Sequence, residues 1–227
     1  MHIDTLNETT LLVIKFRLRG TLRFLSHAET LRVFQRACVR AGINIQYSQG
    51  FNPRPRMSLP LPRPVGVESD DELLCLRILN SAKDASDLCN IIKDKLSAQL
   101  PEGCELISVN TAQAGRSFQP RSARYVFTVS PEYLNEGLRA RIDCLLASES
   151  LNIQRRIEKK NSRFKNVDVR KFLKSIKSDD RSIIVEYNIS FAGSIRIEEI
   201  LRLLELDEGK LASPVRRTNV QWQADEL

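Results

Sequence analysis

The sequence has no C-x-x-C pair, no apolar run approaching the roughly 18 residues of a membrane span, and almost no histidine. Its cysteines, Cys38, Cys75, Cys89, Cys104 and Cys144, are odd in number and widely spaced. That argues against a disulfide framework, a zinc site or an iron–sulfur cluster, and it suits a reducing cytosol. The start, MHIDTLNETT, lacks the basic region and apolar core of a signal peptide. These absences lead us to expect a cytoplasmic protein with no metal, no cofactor and no membrane partner. Only His2 and His27 could supply imidazole chemistry, and no Cys–His pair supports either.

Acid is also missing from one long stretch. From Lys15 to Arg63 there are ten basic residues (Lys15, Arg17, Arg19, Arg23, Arg32, Arg36, Arg40, Arg54, Arg56, Arg63) and one acid, Glu29. The local charge of +9 exceeds the +7 of all 227 residues. Unpaired charge is costly to bury, so the stretch describes a surface that meets an anion. A second basic block, Arg155–Lys177, holds ten Lys or Arg against Glu158 and Asp168, whereas Pro64–Asn110 holds nine acids and four bases. With 42% hydrophobic content and a pI near 9.3, the chain can bury a core and favours nucleic acid as partner.

Periodicity organises the chain. Leu12–Arg19 alternates Ile14, Phe16 and Leu18 with Lys15, Arg17 and Arg19, a strand with a basic outer row. Ser26 and Glu29 have capping-box spacing, so a helix starts near His27, with Leu31, Phe34, Cys38 and Ala41 inward and Gly42 ending it. Ile43–Tyr47 alternates as a second strand. Gln49–Gly66 is too rich in proline for a helix or central strand and reads as a long ordered loop. Asp71–Leu79, a helix over Ser81–Leu100 with Leu88, Ile91, Ile92 and Leu96 inward, and Cys104–Val109 complete a β-α-β-β-α-β series, the ferredoxin-like arrangement. Thr111–Ala123 reads as a linker. A second series follows: strand Arg124–Val129, helix Pro131–Ala147, strand Leu151–Ile157, short helix Val169–Ile176, strand Ser182–Phe191, helix Ile195–Leu206 and strand Val215–Trp222. The expected architecture is α+β, two ferredoxin-like halves in tandem: residues 1–110, a linker at 111–123, and 124–227 with its basic segment at 155–177.

The segment LRFLSHAETLRVFQRACVRAGINIQYSQGFNPRPRMSLPLPRPVGVES resembles a bacterial family of radical-SAM-linked proteins, whose domain has no assigned function. Gly20, Leu22, Arg23, Phe24, Ser26, His27, Arg40, Ala41, Gly42, Tyr47, Ser48, Gly50, Phe51, Asn52, Pro53, Pro55, Gly66 and Ser69 carry the match over about fifty residues. The second half matches only in layout and in Arg216–Arg217–Thr218. Thr30 and Arg54 depart from the usual Asp and His, which weakens any role needing those side chains as metal ligands or proton carriers. The resemblance implies a radical-SAM protein as partner and an RNA-modification or ribosome-related setting.

The candidate RNA contacts are therefore Lys15, Arg17, Arg19, Arg23, His27, Arg32, Arg36, Arg40, Tyr47, Ser48, Phe51, Asn52, Arg54 and Arg56, with Arg155, Lys159, Lys160, Arg163 and Lys165 in the second block. Arginine outnumbers lysine nine to one in the first block, which fits bidentate phosphate contacts and stacking on bases. His27 could act as a general base on a ribose 2′-OH; its plainer role is to cap the helix or lock the proline-rich loop. Phe51 is either a core anchor or a base-stacking residue. If the loop is a recognition element, Phe51, Asn52 and Arg54 should lie near Arg23 and His27. The expected function is an RNA-binding or substrate-presenting module, leaning away from catalysis on its own. A metal-independent RNA-processing enzyme and a docking scaffold for the radical-SAM partner are the alternatives.

Overall fold

A computed structural model describes residues 9–79, 85–113, 115–156 and 164–225. It is α+β, with four α-helices among those residues. The chain divides into two compact units: the first runs to Gln119 and takes in the end of the chain from Gln223, and the second is Pro120–Trp222.

The first unit contains β1 (Thr9–Leu18), a 3-10 turn (Gly20–Phe24), α1 (His27–Arg40), β2 (Met57–Ser58), β3 (Glu68–Leu79), α2 (Ala85–Ser97) and β4 (Cys104–Ala112). Its strands lie in the order β4-β1-β3-β2, each pairing antiparallel. Alternation puts Leu12, Ile14, Phe16 and Leu18 of β1 into one core with Leu74, Leu76 and Ile78 of β3. Phe34, Ala37 and Cys38 of α1 and Ile92 and Leu96 of α2 cover that face. Phe34 meets Phe16 edge-on, with ring centroids 4.6 Å apart. In α2, Ile91 is not inward: it is half exposed, because the stripe is carried by Ile92 and Leu96 one turn apart.

The ends of α1 follow the sequence. Ser26 Oγ accepts from Glu29 N, and Ser26 N donates to Glu29 Oε2 at 2.8 Å, a complete capping box. At the other end Gly42, at φ +66°, closes a Schellman motif: Ile43 N donates to Cys38 O at 2.9 Å and Gly42 N to Val39 O at 3.1 Å. The second strand does not form as one piece over Ile43–Tyr47. Ile45 makes a single bridge to Ile78, the chain leaves the sheet, and it returns as β2 opposite Leu76 and Cys75. Arg77 of β3 is the hinge of this excursion: its carbonyl accepts from Gln46 N, and its own N–H donates to Arg56 O, each at 2.9 Å.

The second unit holds β5 (Ser117–Thr128) from Pro120 on, a 3-10 turn (Pro131–Tyr133), α3 (Glu136–Ala147), β6 (Asn152–Arg156), β7 (Phe164–Asp168), a 3-10 turn (Arg170–Phe172), β8 (Leu173–Ser178), β9 (Ser182–Asn188), α4 (Ile197–Leu203), a 3-10 turn (Glu208–Lys210) and β10 (Arg216–Asp225) as far as Trp222. Four strands lie in the order β10-β5-β9-β8, and β6 pairs with β7 as a separate antiparallel ribbon. The segment expected as a linker is strand at both ends, Thr111–Ala112 closing β4 and β5 starting at Ser117. The expected helix Pro131–Ala147 is broken: Asn135, not Ser130, caps α3, its Oδ1 accepting from Leu138 N at 3.1 Å.

The expected helix Val169–Ile176 is instead a 3-10 turn followed by β8. Val169, Phe172 and Ile176 have helical spacing, but Val169 and Phe172 are buried by the 3-10 turn, and a bulge between Leu173 and Ser175 supplies the extra residue that brings Ile176 to the buried face of β8. Tyr125 of β5 stacks on Tyr187 of β9 at 5.4 Å and 12° in this core. Burial pushes the Tyr187 phenol well above its ordinary range. Arg217, wholly buried, bears on the same phenol, so the closing Arg216–Arg217–Thr218 motif places a structural arginine.

Candidate nucleic-acid interface

The excursion between Tyr47 and Arg56 closes on itself. Tyr47 bridges Pro55, Ser48 N donates to Arg54 O at 2.8 Å, and Ser48 Oγ accepts from Arg54 N at 3.0 Å. Ser48 thus helps hold the loop. Gly50, at φ +123°, turns the tip through a conformation that only glycine adopts readily. Phe51 stands beyond the tip at 106% relative exposure, which removes the core-anchor reading of this residue. Asn52, Arg54 and Arg56 are exposed beside it, and Tyr47 is 40% exposed. Among the described residues neither Arg54 nor Arg56 has a side-chain hydrogen bond or ion pair.

The far part of the same loop behaves oppositely. Leu59 and Val67 are buried, and Arg63 is 8% exposed. Its guanidinium donates to the carbonyls of Leu22, Arg23, Leu25, Pro64 and Val67. The lock on the proline-rich segment is therefore Arg63. His27, the first residue of α1, is half-buried, and its Nδ1 is enclosed without a hydrogen-bond partner. The cap of that helix is Ser26.

The register separates Phe51 from His27. The Arg63 lock sits where β3 begins, with Ser69 opposite Leu18, whereas the Phe51 loop is hinged at Arg77 opposite Leu11. Eight residue steps of strand, from Ser69 to Arg77, separate these attachments, about 26 Å at the usual rise. Arg23 belongs to the first site: it donates to Gly20 O at 2.9 Å and lies 4.3 Å over the Phe24 ring.

The outer row of β1 is neutralised by its neighbours. Lys15 pairs with Asp71 at 3.2 Å, Arg17 with Glu105 at 3.2 Å and Arg19 with Asp70 at 2.7 Å. On α1, Arg32 and Arg36 are exposed, and the charge of Arg32 helps hold the Glu29 carboxyl below its ordinary range, after the Ser26 hydrogen bonds. Arg40 is committed: its Nε donates to Gln99 Oε1 at 3.1 Å, and a terminal nitrogen donates to Gln99 O at 2.6 Å. In the second unit Arg155 is not a surface residue either. It forms a fork with Glu199 at 2.6 and 2.7 Å and donates to Ser194 O. Lys165, opposite Arg155 on β7, is exposed. Lys159, Lys160 and Arg163 lie outside the described residues.

Two features carry no strong mark in the sequence. One is Phe191, fully exposed on a tight turn closed by Ser190 and Gly193. The other is a cleft of about 410 Å³ in the first unit, lined by Arg56, Arg77 and Arg116 with Ser58, Cys75 and Ser117. Arg77 interrupts the apolar run LLCLRIL of β3, the one signal that could have found it.

Residues 12–208 match a family described as uncharacterized protein conserved in bacteria (DUF2344). The chain belongs to DUF2344. The DUF2344 match takes in the Phe51 loop, the Arg63 lock and the arginine cleft, and it stops short of β10. A comparison with curated proteins finds no match. Among the described residues no helix is long and apolar enough to cross a membrane.

Proposed function

We propose that this DUF2344 protein is an RNA-binding module that presents RNA to a radical-SAM modifying enzyme in the cytoplasm. The observation that carries the RNA reading is the loop tip: a fully exposed Phe51 flanked by Arg54 and Arg56, neither matched by an acid. Exposing an aromatic forgoes the stabilisation of burying it, about 1.5–3 kcal/mol. Stacking on an unpaired base, with guanidiniums on the adjacent phosphates, supplies a use for that arrangement. The radical-SAM partner rests on the resemblance of Gly20–Ser69 to proteins linked to such enzymes. We also infer that both units are ferredoxin-like, the second carrying β6–β7 as an insertion. Matching strand orders, β4-β1-β3-β2 and β10-β5-β9-β8, support this.

Incubating the purified protein with total RNA tests the reading. A mobility shift with intact RNA is expected, weakening as salt rises. Fragmented RNA would favour a processing enzyme, and no shift at low salt would remove RNA as the ligand.

A further inference from the structure

We propose that the arginine cleft beneath the Phe51 loop is a subsite for the phosphate of one nucleotide, with the nucleoside lying against the cleft's apolar wall. The inference rests on the RNA reading, to which it adds a specific phosphate position.

The sheet brings the arginines together from distant parts of the chain. Arg56 and Arg77 are joined through their backbones, Arg77 N donating to Arg56 O at 2.9 Å, so their side chains leave from adjacent positions, one on β3 and one immediately before β2. Arg116 reaches the same cleft from the segment preceding β5. No carboxylate lines the cleft, and neither the Arg56 nor the Arg77 guanidinium has a hydrogen bond or ion pair among the described residues. Like charges on adjacent strands repel, and the basic row of β1 in this same unit is matched acid by acid. Arg56 and Arg77 depart from that rule, and an oxyanion held bidentately by guanidinium groups would restore it.

The rest of the lining fits a phosphorylated ligand with a flat body. Ser58, whose side chain is hydrogen-bonded to Cys75, and Ser117 add hydroxyls to the lining. Burial pushes the Cys75 thiol up to about 11, so it stays neutral beside an anion at physiological pH. Met57, Pro60 and Phe118 form an apolar side, and about 410 Å³ is at the small end of ligand pockets, roughly 300–1,000 Å³. Arg56 belongs to both the cleft and the loop, which makes the cleft continuous with the base of the stacking element.

Calorimetric titration of the full chain with AMP, adenosine and inorganic phosphate tests this. AMP should bind, with adenosine weaker by about tenfold or more. R56Q and R77M should each lower AMP affinity by a similar factor, while R202Q, at an exposed position on α4, should leave it unchanged. Arg56 is exposed on the loop, so R56Q decides the question if R77M fails to fold. Equal binding of AMP and adenosine, no AMP binding at millimolar concentration, or full AMP affinity in R56Q would each overturn the subsite. A mobility shift with RNA on the same samples separates the two readings. Wild type that shifts RNA but ignores AMP loses the cleft and keeps the RNA function; wild type that binds AMP but no RNA keeps the cleft and loses the RNA function.

Discussion

The loop between Tyr47 and Val67 has two parts of similar composition and opposite behaviour. Near Phe51 the arginines and the aromatic point outward, and the backbone is held by one bridge and two hydrogen bonds to Ser48. Near Arg63 the arginine turns inward and ties five carbonyls together. An arginine beside proline can thus be a ligand-facing cation or the fastener of a turn. The difference lies in whether a cluster of carbonyls surrounds it: of the five around Arg63, those of Leu22, Arg23 and Pro64 also accept from the N–H of Leu25, Gly66 and Val67. Around Arg63, proline removes backbone donors while leaving every carbonyl, and the guanidinium adds donors to a cluster of carbonyls that the backbone serves only in part.

Removing Arg63 should break the comparison most sharply. Arg63→Ala removes a buried donor shared by five carbonyls and should cost about 3 kcal/mol, read as a lower urea midpoint. A stability equal to wild type would show that the buried guanidinium is not the fastener. Phe51→Ala should do the reverse: an unchanged urea midpoint, with RNA affinity weakened by about 1–3 kcal/mol. A destabilised Phe51→Ala with normal RNA affinity would return Phe51 to a structural role.

A smaller effect separates arginines on a single helix. The pair R32Q/R36Q should reduce the slope of log affinity against log salt by roughly 0.7–0.9 per lost contact and leave melting unchanged. R40Q should leave the slope alone and lower the melting temperature slightly, because Arg40 fastens α1 to Gln99. If all three substitutions act alike, position on the helix does not decide their roles.

The smallest predicted effect is in acid. Hydrogen bonding to Lys174 is the main cause holding the Glu186 carboxyl below its ordinary value of 4.5, with Arg124 adding to it. A depressed folded-state pKa stabilises above the unfolded value and is lost as pH falls through the folded one. E186Q should therefore flatten the fall of melting temperature below about pH 4.5 and change little at neutral pH. An unchanged acid limb would show that this carboxylate does not couple to folding.

Local structure was legible where a few adjacent residues decide it: the Ser26–Glu29 box, the Gly42 terminator, the alternation of β1. The Val169, Phe172 and Ile176 spacing misled because a 3-10 turn buries the first two and a bulge in β8 brings in the third. The second strand was half legible, since Ile43–Tyr47 alternates but only Ile45 bridges to β3 before the chain departs. Of the site, the Phe51 loop was visible as an unusual run of aromatic, arginine and proline. The cleft was not, because Arg77 and Arg116 stand alone in their own neighbourhoods.

The sequence by itself determined that positive charge concentrates in two blocks, that a proline-rich loop interrupts the first unit, and that the chain alternates strands and helices. Those properties need only composition and short-range periodicity. Only the tertiary structure decided which charges are available. Lys15, Arg17 and Arg19 looked like a continuous basic row, yet sheet pairing sets Asp70, Asp71 and Glu105, from a segment counted separately as acidic, directly beside them. Arg40, Arg63 and Arg155 are taken by Gln99, by loop carbonyls and by Glu199. Arg56 and Arg77 face the same cleft without an acid. Coulomb energy falls with distance in space, not with separation along the chain, so a charge run has no sign of its own until the sheet assigns its neighbours.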